Sequence, residues 1–449
     1  MNTDLPKENG SNVFDVYFND AFVGKLNIDK AMRMSFTYDD VYMAQKGHSI
    51  SLTTPSNIKQ HEDNIVFPFI ENLLPEGEVR SLIQRQNKIE EGNFSRFIEL
   101  LGGDVAGALS IQLEGETPKF EHVDTLSVLS QEELSQLLID IQDRPFNVAP
   151  QKGEVGNRLS LAGAQNKLPV IFLNDKTFEA ENAPSTHIIK PARKDDRFKS
   201  LVYNEYLCMK AAKLAGINAA NVSLLDVIDV NGNESDALLI ERYDRYFYVD
   251  NSTDNEGEGY TKRLQQEDLC QLCSIPSTTK YEVHGGPGFK DLFSKISEFC
   301  EVPVKDDLEA FRRIIFSLVV GNYDAHAKNF SFLISEGGKI ALSPAYDLVC
   351  TALYEDLDTT FAMLIGKSND LETLTNESFE QLFTDIDKKY NTIKKQLMKF
   401  ADQSLKAISD VVEEFVEGNY YQPDIESSER ILAIAKSNHH VVTKVLKEH

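Results

Sequence analysis

The sequence predicts an α+β fold in two lobes, with a small antiparallel β subdomain in front and a mostly helical lobe behind. Three observations carry that expectation. Strand-like runs separated by turn residues fill residues 13–54, and further strands flank one helix between residues 168 and 241. From Leu308 onward apolar residues recur at helical spacing, apart from two short runs near 330–342.

The elements follow in order. Residues 13–18 and 21–26, joined by Asn19 and Asp20, read as a hairpin, with residues 34–38 and 49–52 as further strands. Helices take over from Phe67 to Leu101, ended by Gly102 and Gly103, and residues 107–113 return as a strand. The polar stretch 114–121 is a plausible boundary, and residues 131–141 read as a helix. Strands follow at 168–173, 186–190 and 237–241, with a helix opening near Asn204 and Glu205. Residues 251–259 are polar and acidic, so a loop is expected there. Gly285 to Gly288 reads as a rigid turn, because Pro287 removes a backbone donor that a phosphate loop would need.

Composition narrows the class. With 449 residues, 41% hydrophobic and 26% charged, the chain is long enough for two or three cores and ordinary for a globular protein. Its net charge of −25 (46 basic against 71 acidic residues) argues against nucleic acid held over the whole surface. The one basic candidate is the run Lys388, Lys389, Lys394, Lys395 and Lys399 on an apparent helix. No apolar run reaches membrane-spanning length, and residues 1–8 lack the pattern of a signal peptide, so a cytoplasmic protein without a membrane role is expected. Five scattered cysteines point to reduced thiols, with Cys270 and Cys273 as two positions on a helix.

The chemistry concentrates near residue 324. Phe311, Ile314, Ile315, Leu318 and Val319 mark a core-facing helix, and Gly321 is placed to stop it. Asp324 and Asn329 come next, then a hairpin over 330–342, then Asp347. Taken singly, each could merely cap a loop. Phosphoryl transfer by a protein kinase, however, uses an Asp, an Asn five residues later and a second Asp beyond a hairpin. The small residues Ala162, Gly163 and Ala164 would let backbone N–H groups approach a triphosphate, although no Walker motif is present. Lys190 at a strand end, Glu205 on a helix, and Glu241 to Tyr243 at an apolar strand's end fit the phosphate grip, its partner and an adenine hinge.

With these residues in place, the chain resembles the HipA family, the kinase toxins of bacterial toxin–antitoxin pairs. The marks are residues 69–75, 102–108, 159–167, 187–190, 241–245, 266–268, 285–288, 324–329 and 346–347, and the likeness runs from about residue 13 to about residue 440. It implies a two-lobed, protein-kinase-like fold divided into 1–120 (β-rich subdomain), 121–245 (N-lobe with the ATP loop) and 246–449 (helical C-lobe). It implies Asp324 as catalytic base, Asn329 and Asp347 as Mg2+ ligands, and Lys190 on the ATP phosphates. Ala162, Gly163, Ala164, Gln165, Asn166 and Lys167 resemble the ATP loop, and Glu241, Arg242 and Tyr243 the hinge contacts. His326, Ala327, Lys328, Asn329 and Tyr346 match further nucleotide contacts. Ser160 matches a loop serine that family members autophosphorylate, which displaces the loop and switches the kinase off. The implied partners are a helix-turn-helix antitoxin (HipB-like), operator DNA reached through it, and a protein substrate, which for some members is an aminoacyl-tRNA synthetase. Ala325 departs from the glycine common at that position. Two other classes stay open on the residues: a non-catalytic co-repressor of an antitoxin, and a small-molecule or lipid kinase on a related scaffold.

Overall fold

Alternating apolar residues at the start of the chain build a sheet with one buried face. In a computed structural model describing residues 12–118, 127–143, 166–180, 184–192, 198–228, 232–249, 259–418 and 420–448, β1 (Asn12–Phe18), β2 (Ala21–Ile28), β3 (Met34–Tyr38), β4 (Gln60–His61) and β5 (Leu109–Leu113) form an antiparallel sheet in the order β4-β3-β2-β1-β5. Phe14, Val16, Leu26, Phe36 and Ile111 face a core closed by α2 (Asp63–Glu71), α3 (Gly77–Asn87) and α4 (Phe94–Leu101), while α1 (Asp40–Ala44) covers one end. Gly24 lies where a Cβ would meet the Thr37 carbonyl oxygen at 2.2 Å, so the β1–β2 bulge admits no side chain there.

The 49–52 segment is not the expected strand: it bends, with an isolated bridge from Ser51 to Thr54. Its hydrogen-bonding groups go elsewhere. The Ser51 hydroxyl and the Leu52 N–H donate to the Glu267 carboxylate, at 2.5 and 2.8 Å, across the boundary with the rest of the molecule.

A second antiparallel sheet has the order β7-β6-β8-β10-β9, from β6 (Leu168–Leu173), β7 (Lys176–Glu179), β8 (His187–Lys190), β9 (Val222–Ile228) and β10 (Glu234–Glu241). On one side α5 (Gln131–Asp143) packs Leu134 and Leu138 against Val170, Ile189 and Leu239. On the other, α6 (Leu201–Leu214) joins the largest core.

The C-terminal lobe carries more β structure than expected. It opens with a ribbon of β11 (Arg245–Val249) and β12 (Gly259–Arg263), then a three-stranded sheet of β13 (Gln265–Asp268), β14 (Ser331–Ile334) and β15 (Ile340–Leu342). The β13 run Gln265-Gln266-Glu267-Asp268, noted only for its family resemblance, did not read as a strand because it has no apolar face. Helices α7 (Leu269–Leu272), α8 (Phe289–Phe299), α9 (Pro303–Val320), α10 (Asn376–Asp385), α11 (Tyr390–Val416) and α12 (Gln422–Lys447) supply the remainder. All five cysteines are free thiols, and Cys270 is buried. In the basic run, Lys388 just before α11 pairs with Asp307 and Lys394 within it donates to Asn376, while Lys389, Lys395 and Lys399 are exposed. No helix among the described residues is long and apolar enough to cross a membrane.

Candidate active site

The loop that presents Asp324 is fixed by its surroundings. Pro303 starts α9 at a position where a missing N–H costs nothing, and Gly321 ends it with φ +80°, its N–H donating to Ser317 O at 3.0 Å. A Cβ on Gly321 would lie 2.9 Å from the Ala352 methyl. Next along, the Tyr323 N–H donates to the Thr351 hydroxyl at 2.9 Å, and Asn438 of α12 donates to the Tyr323 hydroxyl at 3.1 Å. Asp324 then emerges on the open side, and one 3-10 turn over Ala327–Asn329 brings the Asn329 amide back to within 3.4 Å of the Asp324 carbonyl oxygen.

A cleft of about 270 Å3 gathers Lys167, Lys190, Glu241, Arg242, Tyr243, Asp324, His326, Lys328, Asn329, Tyr346 and Asp347 on its walls. Two expected residues are not among them. Asn166 is not part of the lining, and Ala327 is fully buried in the large core, so its methyl faces away from the cleft. Ser160, Ala162, Gly163, Ala164 and Gln165 lie outside the described residues, as do residues 251–258 of the expected loop.

Charge pairing orders the cleft floor. The Lys190 ammonium donates to both Glu205 carboxylate oxygens, at 2.8 and 2.9 Å, and to Asp347 at 2.9 Å. Burial alone would lower the Lys190 pKa, but these two carboxylates outweigh it and keep the lysine protonated. The same ammonium holds Asp347 at about 2, and Asp347 sits in the left-handed region with φ +58°. Burial next to Lys190 brings Lys167 down to about 8. His326 is buried and neutral, drawn down to about 3 by loss of solvent, and its Nδ1 has no hydrogen-bond partner among the described residues. Asp324 is exposed to the cleft, yet partial loss of solvent at its carboxyl pushes it up to about 6, with a Tyr281 hydrogen bond acting in the opposite sense.

The segment expected to act as a hinge, Glu241 to Tyr243, is held by ion pairs. The Arg242 guanidinium is tied down, donating to Asp244 at 2.9 Å and the Ser185 hydroxyl at 2.8 Å, with Asp104 of the N-terminal subdomain 3.5 Å away. Arg245 is paired with both Asp104 and Asp244. The paired Arg242 side chain is not free for a ligand, and the Glu241 and Arg242 N–H groups are already donated to Asn221 O and Thr186 O, so the backbone contact expected of this segment falls to Tyr243.

No group of three or more His, Cys, Asp or Glu side chains among the described residues could cage a metal. An oxygen-seeking divalent cation needs less here, because phosphates and water complete its shell. The Asn329 amide and the Asp347 carboxylate, two-fifths exposed, fit that role.

Residues 14–112 match the HipA N-terminal domain, and residues 159–417 match the HipA-like C-terminal domain. The chain belongs to the HipA family. Y4mE of Sinorhizobium fredii is 30% identical over 407 residues, covering 90% of this chain and 92% of its own. The serine/threonine-protein kinase toxin HipA of Shewanella oneidensis is 29% identical over 412 residues, 89% of each chain. HipA of Shewanella oneidensis MR-1, solved with HipB and operator DNA, superposes with a TM-score of 0.79 at 26% identity, covering 97% of this chain and 100% of that one. This HipA-family protein is a serine/threonine kinase with the two-lobed fold.

Sequence reasoning missed several groups on the walls of this HipA-family cleft. Asn72 and Glu76 reach it from the N-terminal subdomain. Lys328 is buried and donates to Asp268 at 2.9 Å and to the Asn72 side-chain oxygen at 2.7 Å. Lys280 pairs with Glu76 at 3.2 Å, and Tyr281 donates to Asp324 at 2.9 Å. Residues 69–75 stood out as a family mark without a role; Glu71, Asn72 and Glu76 prove to be buried polar groups, and such groups need distant partners.

Proposed function

We propose that this HipA-family kinase is the toxin of a bacterial toxin–antitoxin pair and transfers the γ-phosphoryl group of ATP, with Mg2+, to a serine or threonine of a translation component such as an aminoacyl-tRNA synthetase. The observation that carries the reading is the convergence of Lys190, Asp324, Asn329 and Asp347 on one cleft. It supports catalysis over a non-catalytic co-repressor, which would have no need to keep all four.

Asp324 accepts the proton of the attacking hydroxyl, and its exposed position lets an acceptor approach from the open side. Lys190, kept charged and aimed by Glu205, binds phosphate oxygens. Asn329 and Asp347 would hold Mg2+, which would supply charge neutralisation for the transferring phosphoryl group. Glu241 to Tyr243 provide backbone for adenine, and residues 162–167 cover the phosphates. Neutral His326, Lys328 and Tyr346 shape the nucleotide side of the cleft. Autophosphorylation at Ser160 places about −1.5 to −2 charges beside the ATP phosphates and repels the nucleotide. A HipB-like antitoxin is the partner, and operator DNA is reached through it.

The test is radiolabelled phosphate transfer from ATP by the purified protein, alone and with bacterial lysate, beside Asp324→Asn. Labelling of a lysate protein that disappears in the variant is expected. Equal labelling by both proteins would refute Asp324 as the base. Growth arrest that persists with Asp324→Asn would favour the co-repressor.

A further inference from the structure

The acceptor position beside Asp324 is filled by the protein itself. The Tyr281 hydroxyl donates to Asp324 Oδ1 at 2.9 Å, the geometry that an acceptor hydroxyl must adopt to lose its proton there. Tyr281 is held from several directions. Its ring lies edge-on to His326, with centroids 5.5 Å apart. Its carbonyl oxygen accepts from His284 N–H at 3.0 Å and Gly286 N–H at 2.9 Å. Gly286 has no room for a side chain, since a Cβ would lie 2.1 Å from Thr279 O. The glycine-rich turn at 285–288 thus serves as a clamp on the tyrosine segment.

The N-terminal subdomain grips the same segment. Ser277 donates through its N–H and its hydroxyl to the two Glu71 oxygens, both at 2.8 Å, and Lys280 pairs with Glu76 at 3.2 Å. These contacts fix the backbone on both sides of Tyr281 and so set where its ring begins.

We propose that Tyr281 is a gate: its hydroxyl stands in for the acceptor at Asp324 and keeps water out until a protein hydroxyl displaces it. A kinase that orients hydroxyls toward ATP will orient water equally well unless the position is occupied. In that side reaction the water oxygen bonds to the γ-phosphorus, the bond to the β,γ-bridging oxygen breaks to release ADP, and the water proton goes to Asp324. The inference rests on Asp324 being the base, and it adds a positioning residue that the transfer reaction does not itself require.

The test is Tyr281→Phe in the full chain, which keeps the ring and removes only the hydroxyl, with inorganic phosphate release measured from Mg-ATP in the absence of added protein, a product that autophosphorylation does not yield. Hydrolysis should rise on the order of tenfold, the equivalent of one hydrogen bond to a charged acceptor. The rise should vanish in Tyr281→Phe combined with Asp324→Asn, whereas a merely structural role would lower the melting temperature and leave the rate unchanged. Tyr281→Leu provides the same reading if the Phe variant folds poorly. Parental or slower hydrolysis in a variant that keeps its melting temperature and ATP affinity overturns the gate. If Asp324→Asn alone still phosphorylates protein, the base assignment fails instead, so the two failures are distinguishable.

Discussion

Glu267→Gln offers a quantitative test of how the N-terminal subdomain is joined to the catalytic lobe. Glu267 is 1% exposed and accepts hydrogen bonds from Ser51 and Leu52, both more than 200 residues away in sequence. Loss of solvent outweighs those bonds and pushes its carboxyl up to about 7 from an ordinary 4.5. The folded protein therefore retains a proton that the unfolded chain has released over this range. Stability from this group is complete below pH 4.5 and is lost as the pH rises through about 7. At about 1.4 kcal/mol for each tenfold difference in proton affinity, the loss is roughly 3 kcal/mol as an upper bound. Glutamine does not titrate, and its amide can donate to Ser51 Oγ while its oxygen accepts from Leu52. Urea denaturation at pH 4 and pH 8 should show the variant gaining up to about 3 kcal/mol on the parent across the interval. Parallel profiles for the two proteins would refute the reasoning.

Other outcomes follow from buried charges and backbone strain. Lys190→Met leaves Glu205, 2% exposed, without its partner, so stability should fall by about 3 kcal/mol in thermal unfolding, and adding Glu205→Gln should restore most of it. Asp104→Asn removes the carboxylate shared by Arg242 and Arg245, which should lower the melting temperature and weaken nucleotide affinity in calorimetry by loosening the hinge. Gly321→Ala places a Cβ at φ +80° and within 2.9 Å of Ala352, and should cost roughly 2 kcal/mol, with activity falling alongside as the catalytic loop shifts.

The parts of the site legible in the sequence were those encoded locally. The core-facing helix, its glycine stop, the five-residue spacing from Asp324 to Asn329 and the hairpin before Asp347 all appear as α9, Gly321, the 3-10 turn and β14–β15. Lys190 and Glu205 were legible because a strand end and a helix start are local features, and their ion pair is present. What escaped was encoded by pairing across the chain. The polar strand β13 shows its role only when Glu267 meets Ser51, and Asn72 only when Lys328 reaches it, 256 residues later. The 49–52 segment was misread for the same reason: its strand-like residues offer their donors to a carboxylate rather than to a neighbouring strand.

The bond between Asn438 and Tyr323 has a consequence for synthesis. The residue before Asp324 finds its partner 115 residues further on, in α12, which also supplies Ile434 to the wall behind Gly321. At translation rates of about 5 to 20 residues per second, roughly 6 to 23 s separate the appearance of the two. Once Asp347 has been made, and for the rest of that interval, the nascent chain contains every cleft residue from Lys167 to Asp347 but lacks the helix that braces the loop carrying Asp324. Chains released by a ribosome stalled before α12 would carry the chemistry without its support, so growth arrest should depend on translation continuing through that helix.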